Sequence, residues 1–143
     1  MRSLRLTFHT VIVALMLASC HVPPSEELFV RADQAVDGVY SFPLNMVDGT
    51  VTYAVWFYTV MGDIDIDNLP LEVRWISPKG YEYGETVSMP VGNPKGDRQL
   101  YRSGLIPKEY GEWTLNVRVL RELPGFRGIG VICERQNKED GAR

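Results

Sequence analysis

Three aspartates at alternate positions are the first residues of this sequence whose type and spacing could do chemistry. Asp63, Asp65 and Asp67 stand in the stretch MGDIDIDNLPLEVRW, which begins at residue 61. Carboxylates that point the same way from an extended segment repel one another unless a cation or water lies between them. A calcium site, an acidic catalytic cluster and a solvated approach to a β-sheet are therefore the three interpretations to weigh.

The calcium interpretation fails against the EF-hand pattern. An EF-hand loop that began at Asp63 would need glycine at its sixth position and glutamate at its twelfth. Those positions hold Asn68 and Arg74, and an arginine cannot ligate calcium. A calcium site of another kind on a loop of a β-sandwich stays open as the weaker alternative. We expect a solvated rim of a sheet, which binds a partner through Asp63, Asp65, Asp67 and Asn68.

The usual catalytic side chains are scarce. The two histidines, His9 and His21, precede the part of the chain in which strands are predicted, so that part has no imidazole to act as a base or a metal ligand. Cys133 stands in an apolar run, which indicates a small core residue rather than a nucleophile. Glu82 and Glu85 are expected to be solvated strand residues rather than an acid/base pair. We predict a protein that is not an enzyme and needs no cofactor.

Aromatic residues offer one further kind of chemistry, the stacking of a sugar ring. Tyr81, Tyr83 and Tyr101 could form such a platform together with Trp56 or Trp75. Aromatic side chains of a β-sandwich are more often part of its core, where they bury a large apolar area. A carbohydrate-binding protein of the outer membrane is therefore the alternative function, and a small hydrolase, which the lack of histidine argues against, is a third.

The N-terminus carries the pattern of export and lipid attachment. Two arginines precede an apolar run from Val11 to Ala18, which fits a signal peptide and is too short to span a bilayer. The run ends in LASC, which matches the lipobox of bacterial lipoproteins, in which the cysteine thiol receives a diacylglycerol. We predict a signal peptide over residues 1–19 and lipidation at Cys20. The protein is then held on the cell envelope, with the outer membrane as the expected location.

Charge excludes several classes of partner. The chain has 143 residues and a formal charge of −3, and removal of residues 1–19 takes away two arginines and no acidic residue, which leaves −5. Without a basic run, this balance argues against nucleic acid and against electrostatic binding to anionic lipid. We expect envelope proteins as partners, no small-molecule substrate, and contact with the membrane through the anchor at Cys20.

The elements that must position these residues are short β-strands. Residues 50–60, TVTYAVWFYTV, are apolar on both faces and predict a central strand covered on both sides. The runs LEVRWIS, EWTLNVRVL and IGVICER alternate between apolar and polar residues, which predicts half-buried strands with Trp113, Leu115 and Val117 facing inward. Turn residues separate the runs, and no stretch has helical periodicity. We predict an antiparallel β-sandwich of seven or eight strands, either jelly-roll or immunoglobulin-like.

The chain divides into four predicted parts. Residues 1–19 are the signal peptide, and residues 20–36, which are polar and contain two adjacent prolines, are expected to be an extended tether. Residues 37–135 form the sandwich, a length sufficient for one domain. Residues 136–143 are charged and predict a disordered tail. With Cys20 acylated, Cys133 is the single remaining thiol, so no intramolecular disulfide is expected.

The lipobox and three later stretches together resemble a known family. The stretches are NLPLEVRWISPKG from residue 68, YGEWTLNVRVL from residue 110 and LPGFRGIGVICE from residue 123. In this order they are similar to the gliding-motility lipoprotein GldH family of Bacteroidetes, over residues 37–134. The resemblance implies a non-enzymatic component of the envelope apparatus for gliding, tied to type IX secretion and acting by protein–protein docking. The lipidated cysteine is the one functional residue that it carries over.

Overall fold

The computed structural model describes residues 25–91 and 96–138, whose regular secondary structure is almost entirely β-strand. Eight antiparallel strands form two four-stranded sheets, which confirms the predicted sandwich. The strands are β1 Ser25–Arg31, β2 Val39–Met46, β3 Val51–Met61, β4 Asn68–Ile76, β5 Glu82–Pro90, β6 Gln99–Leu105, β7 Gly111–Val119 and β8 Phe126–Asn137, with a short 3-10 turn at Ala32–Gln34. Within these two ranges no helix is long and apolar enough to cross a bilayer.

The strand order is that of a jelly roll, one of the two topologies left open by the sequence. One sheet has the order β1-β8-β3-β6 and the other β2-β7-β4-β5. The first strand therefore pairs with the last, the second with the seventh, the third with the sixth and the fourth with the fifth. This is one long hairpin of nested pairs that has been folded over into two packed layers.

The core lies between the two sheets. Trp113, Leu115 and Val117 face inward as the alternation predicted, with exposed fractions of 7%, 0% and 0%. Cys133 also lies in the core, as expected. Further fully buried side chains come from both sheets: Phe42, Leu44, Tyr53, Val55, Phe57, Leu69, Leu71, Val73, Ile129 and Val131. Burying one aliphatic side chain of this size contributes about 1.5 to 3 kcal/mol, so this layer is the main source of stability.

The apolar run at residues 50–60 forms a central strand, as predicted. β3 lies between β8 and β6 and buries Val55 and Phe57 on its inner face. Its outer face is covered less completely, because Ala54 is buried there while Trp56 and Tyr58 are half-buried. The central position is therefore confirmed, and the predicted cover on both sides holds only for part of the strand.

The structure corrects the predicted boundary of the tether. Residues 25–31 form β1, which pairs with β8 from Ser25 opposite Glu134 to Arg31 opposite Gly128. Leu28 and Val30 pack half-buried against the core. β1 was missed because it is an edge strand without a fully buried residue, so its pattern resembles that of a linker. At the other end, β8 extends to Asn137 and takes up the first two residues of the predicted tail.

Residues 1–24, 92–95 and 139–143 lie outside the described part of the chain. The predicted signal peptide, Cys20 and the tether up to residue 24 fall there, as does the rest of the predicted tail.

Two glycines of β8 allow neighbouring strands to pack closely, Gly128 for β1 and Gly130 for the Tyr58 ring of β3. A Cβ atom on Gly128 would lie 2.5 Å from the carbonyl oxygen of Val30 and 2.6 Å from Cζ of Phe29. Phe29 in turn stacks on Tyr58 of β3, with ring centroids 6.0 Å apart. The N-terminal strand is therefore fixed by backbone pairing and by an aromatic contact that crosses β8.

The nested pairing gives the sandwich two distinct ends. We call the end at which β1 begins the proximal end; it carries the connections at residues 47–50, 77–81 and 106–110, together with Ser25 and Lys138. The distal end carries the connections at residues 32–38, 62–67 and 120–125, and β5 ends and β6 begins there. The chain passes from one end to the other with every strand, so residues far apart in sequence meet at each end.

Candidate binding surfaces

The acidic loop lies at the distal end, between β3 and β4. Asp63, Asp65 and Asp67 are exposed, while the isoleucines between them are half-buried. Asn68 is the exposed first residue of β4 and stands opposite Pro90 of β5. The three aspartates therefore lie on the solvent side of the loop, as expected of the solvated rim of a sheet.

Backbone hydrogen bonds hold this loop on both of its flanks. The Gly62 N–H donates to the Gly125 carbonyl at 3.0 Å, and the Val91 N–H donates to the Asp67 carbonyl at 2.8 Å. Ile66 packs against the core from the middle of the loop. The carboxylates are thus displayed on a supported segment, which lowers the entropy lost when a partner binds.

The structure does not assemble the candidate catalytic residues. Glu82 and Glu85 lie on opposite faces of β5, because three positions along a strand reverse the side-chain direction. Burial raises the pKa of the Cys133 thiol to about 12, so the reactive thiolate is scarce at neutral pH. Among residues 25–91 and 96–138, no three acidic, histidine or cysteine side chains come together in a way that could hold a metal ion.

An apolar groove opens between the edge strands β5 and β6 near the proximal end. We call it the edge groove. Its volume is about 280 Å³, and it is lined by Met46, Trp75, Tyr83, Leu105, Ile106, Pro107, Lys108 and Trp113. Trp75 and Trp113 meet edge to face at 6.3 Å between centroids. Tyr83 is 48% exposed and has the Lys108 ammonium 6.0 Å from its ring centre. The groove therefore presents aromatic rings with one cation at the rim.

Two register shifts in β6 shape the inner wall beside this groove. Val55 of β3 stands opposite Arg102, and the next residue of β3 stands opposite Leu100, so Tyr101 is an extra residue in a bulge. A bulge lets two adjacent side chains point to the same side of the sheet. Tyr101 consequently stacks on Phe57 at 4.7 Å and on Trp75 at 6.3 Å.

A polar cluster joins the two edge strands behind the groove. The Tyr101 hydroxyl donates a hydrogen bond to the Glu85 carboxylate, and Nη2 of Arg102 lies 2.6 Å from each oxygen of that carboxylate. Burial, followed by the hydrogen bond to Glu85, raises the pKa of Tyr101 to about 12. The phenol therefore remains protonated at neutral pH and donates to Glu85. Through these contacts Glu85 links β5 to Tyr101 and Arg102 of β6.

The structure brings together part of the aromatic platform considered from the sequence. Tyr83 and Trp75 line the groove and Tyr101 stacks on Trp75 from within. Tyr81 lies in the turn before β5, and Trp56 lies on the outer face of the other sheet beneath the Arg98 guanidinium at 4.7 Å. Sequence reasoning missed that Trp113, assigned to the core, also lines this groove.

The proximal end also exposes four apolar or aromatic side chains. We call them the proximal rim. Their exposed fractions are 57% for Val47, 64% for Tyr81, 65% for Ile106 and 53% for Tyr110. They come from all three connections at this end, so they outline a surface rather than a line. The sequence had marked only Tyr81, as part of a possible aromatic platform, because Val47, Ile106 and Tyr110 stand in short turns without a periodic pattern.

No protein family, curated protein or solved structure matches the chain. The acidic loop, the edge groove and the proximal rim are therefore interpreted from their geometry and chemistry.

Proposed function

We propose that this protein is a non-enzymatic docking component of a bacterial cell envelope. It is anchored in the membrane through lipid on Cys20 and binds envelope proteins through its distal end. The resemblance of the lipobox and of the three later stretches to gliding-motility lipoproteins gives the proposal its specific form. In that form the partner belongs to an outer-membrane apparatus for gliding that is associated with type IX secretion.

The observation that carries the proposal is the position of the acidic loop relative to the N-terminus. β1 begins at Ser25, five positions after Cys20, and the acidic loop lies at the opposite end of the strands. A seven-residue strand spans about 20 Å. A domain held at its N-terminus therefore presents this loop on the side away from the anchor, where a partner can reach it.

The chemistry of the distal end specifies the kind of partner. Asp33 and Asp37, in the connection after β1, lie at the same end as Asp63, Asp65 and Asp67. A concentration of one charge speeds encounter with a surface of the opposite charge and disfavours partners of the same charge. The partner is expected to present a basic patch.

The anchor is tested at Cys20. In Cys20→Ser the thiol that receives the diacylglycerol is gone, so incorporation of a fatty-acid analogue during growth should disappear. Unchanged labelling of the Cys20→Ser protein would refute the anchor.

The docking surface is tested with two matched charge reversals in the full-length protein. Asp65→Lys with Asp67→Lys changes the distal end; Glu82→Lys with Glu112→Lys makes the same change of charge at exposed positions of the other end. Asp63, which has an interaction partner in the folded chain, is left unchanged. Crosslinking in the envelope followed by mass spectrometry should show a partner lost from the first variant and kept by the second. Equal partner sets for both variants would contradict docking through the distal end.

The edge groove favours carbohydrate binding as a second candidate function. Rings of Trp75, Tyr83 and Trp113 line a space slightly smaller than the usual ligand pocket of about 300 to 1,000 Å³, which suits one sugar ring. On this hypothesis the protein is retarded in a polysaccharide affinity gel and Tyr83→Ala abolishes the retardation. Tyr81→Ala, outside the groove, is the control. Retardation with this pattern would put glycan binding ahead of docking.

A further inference from the structure

We propose that the proximal end of the sandwich rests on the lipid bilayer, with the proximal rim of Val47, Tyr81, Ile106 and Tyr110 at the membrane interface. The occupant of this surface is thus a lipid bilayer rather than a protein. The inference goes beyond docking through the distal end, and it rests on the proposed function in one respect, the lipid on Cys20.

The first argument is the short distance between the anchor and the fold. Five chain positions separate Cys20 from Ser25, and an extended chain spans at most about 3.6 Å per residue, so Ser25 lies within about 18 Å of the acylated residue. β1 is paired with β8 from its first residue. The sandwich therefore begins within this distance of the membrane surface, and its proximal end is the end held there.

The second argument is the type of side chain exposed at that end. Tyrosine is favoured at the membrane–water interface because its ring is apolar and its hydroxyl remains hydrated. Ile106 and Val47, each more than half exposed, would bury apolar area in the region between headgroups and acyl chains. The four residues come from the three connections at this end, so all of them lie at the end nearest the anchor.

The charges at the proximal end are compatible with this contact. The Lys79 side chain is 75% exposed at the tip of its turn, and exposed Lys108 stands between Ile106 and Tyr110. Such side chains can extend their ammonium groups to lipid phosphates while their stems stay against apolar surface. Glu109 is largely buried near Lys79, with 3.9 Å between the charged atoms. Asp48 lies next to Val47, so the three proximal connections carry two basic residues, Lys79 and Lys108, and two acidic ones, Asp48 and Glu109. Glu82 and Glu112, which are exposed near the starts of β5 and β7, would have to stay in the water beside the contact.

The distal end is less suited to contact with a lipid bilayer. Val36 is 72% and Leu120 47% exposed there, but they share that end with the acidic loop. Bringing ionised carboxylates into the interface costs free energy unless they are paired. The described residues between strands at the distal end include seven acidic and two basic side chains, so contact with lipid would bring more uncompensated negative charge into the interface there than at the proximal end.

The test measures contact with lipid at single positions of the full-length, lipidated protein. Tyr81→Cys and Ile106→Cys place a fluorophore on the proximal rim, and Val36→Cys and Asp65→Cys place it at the distal end. Cys133 is buried, and the unsubstituted protein gives the background labelling. Each protein is reconstituted into vesicles of phosphatidylethanolamine and phosphatidylglycerol that contain a nitroxide-labelled lipid with its quencher near the headgroups.

We expect fluorescence to be quenched at both proximal positions and unchanged at both distal ones. Equal quenching at all four positions, or none at any, would overturn the inference. Fatty-acid labelling of the same samples separates this failure from that of the proposed function: labelled protein without proximal quenching refutes only the bilayer contact, whereas unlabelled protein refutes the anchor and the contact with it.

A second pair of variants tests whether the rim itself makes the contact. Val47→Ser with Ile106→Ser should abolish quenching of the probe at residue 81. Val36→Ser with Leu120→Ser, which removes similar side chains from the distal end, should leave it unchanged. All four side chains are exposed, so the fold should survive. Unchanged quenching in the first variant would show that the anchor alone holds the probe near lipid, and would overturn the role of the rim.

Discussion

The two ends of this jelly roll differ in chemistry although the same eight strands build both. The proximal end has connections of four or five residues with exposed Val47, Tyr81, Ile106 and Tyr110. The distal end has connections of at least six residues and carries the acidic loop. Because the chain reverses at every strand, each end collects one turn in two along the sequence. Residues far apart in sequence, such as Val47, Tyr81 and Ile106, therefore share one surface that no local sequence window contains.

The largest expected effect concerns the packing behind the two ends. Trp113 is buried near the proximal end, contacts Trp75 edge to face and donates to the Glu109 carbonyl at 2.9 Å. Trp113→Ala should lower the free energy of unfolding by about 3 to 5 kcal/mol. Its distal counterpart, Phe126, is half-buried and packs edge to face on Tyr40 at 5.9 Å, so Phe126→Ala should cost less. Chemical denaturation measures both.

Asn116→Ala serves as the control on the same strand. Asn116 faces outward and accepts a hydrogen bond of 2.6 Å from the Ser41 hydroxyl, so its loss should cost about 1 kcal/mol. If Trp113→Ala and Asn116→Ala unfolded at the same denaturant concentration, the inner face of β7 would be assigned wrongly.

The next largest effect concerns the packing of β1, the strand whose first residue defines the proximal end. A Cβ at Gly128 would lie 2.5 Å from the Val30 carbonyl oxygen, so Gly128→Ala should destabilise the sandwich by roughly 1 to 3 kcal/mol. Gly84→Ala on β5 is the matched control, because its Cβ would meet nothing closer than 3.6 Å. Hydrogen exchange should show faster exchange in β1 for the first variant. Similar exchange in both variants would mean that β1 does not depend on this close approach.

A smaller effect concerns the titration of Tyr101, which lies at the sandwich edge beside the edge groove. The pKa of Tyr101 is raised from 10.0 to about 12 by burial and by the hydrogen bond to Glu85. The folded state thus holds this proton more tightly than the unfolded state, so the contribution to stability is complete below about pH 10 and is lost as the pH rises through about 12. Alkaline titration followed by tyrosinate absorbance measures it.

Glu85→Gln should make part of the tyrosinate absorbance appear at lower pH, because the negative charge next to the phenol is removed. Glu82→Gln, on the opposite face of β5, should leave the titration unchanged. Superimposable curves for Glu85→Gln and the unsubstituted protein would show that burial alone raises the pKa of Tyr101.

The smallest expected effect is at the distal end. Addition of millimolar calcium, or of a chelator, should leave the Tm unchanged, because the acidic loop lacks the ligand pattern of an EF-hand and its carboxylates stand on the exposed side. A rise of several degrees with calcium would revive a cation site at Asp63, Asp65 and Asp67.

The apolar patterns of β3, β4, β7 and β8 predict strands, but a buried face was not sufficient for prediction, because β2 buries Tyr40, Phe42 and Leu44 and was missed. Alternation in residues 112–120 and the doubly apolar run at 50–60 predicted β7 and β3 because burial there selects the side chains on each face. β1 was not predicted as a strand because its inward residues are only half-buried and include Glu26. The sequence therefore shows no contrast between the two faces of this strand. The limit is physical: an edge strand is held largely by backbone hydrogen bonds, which are independent of side-chain type.

The candidate surfaces were predictable to a lesser degree. Exposure of the acidic loop follows from the charge and spacing of its residues. The pairing of Trp75 with Tyr101 depends on β4 and β6, which belong to different sheets, and on a bulge that has no sequence signature. The proximal rim depends on which turns share an end, which is decided by the topology alone.

The nested pairing of strands also dictates an order of assembly. β4 and β5 form the one hairpin between consecutive paired strands, and each further pair encloses a longer loop, with β1 and β8 last. Pairs of large sequence separation form slowly because the loop must be closed before they gain contacts. A chain delivered N-terminus first therefore keeps β1 unpaired until β8 has arrived. If Cys20 is lipidated as proposed, the strand nearest the anchor is the first to be delivered and the last to be folded, and the distance between membrane and domain becomes fixed only in that final step.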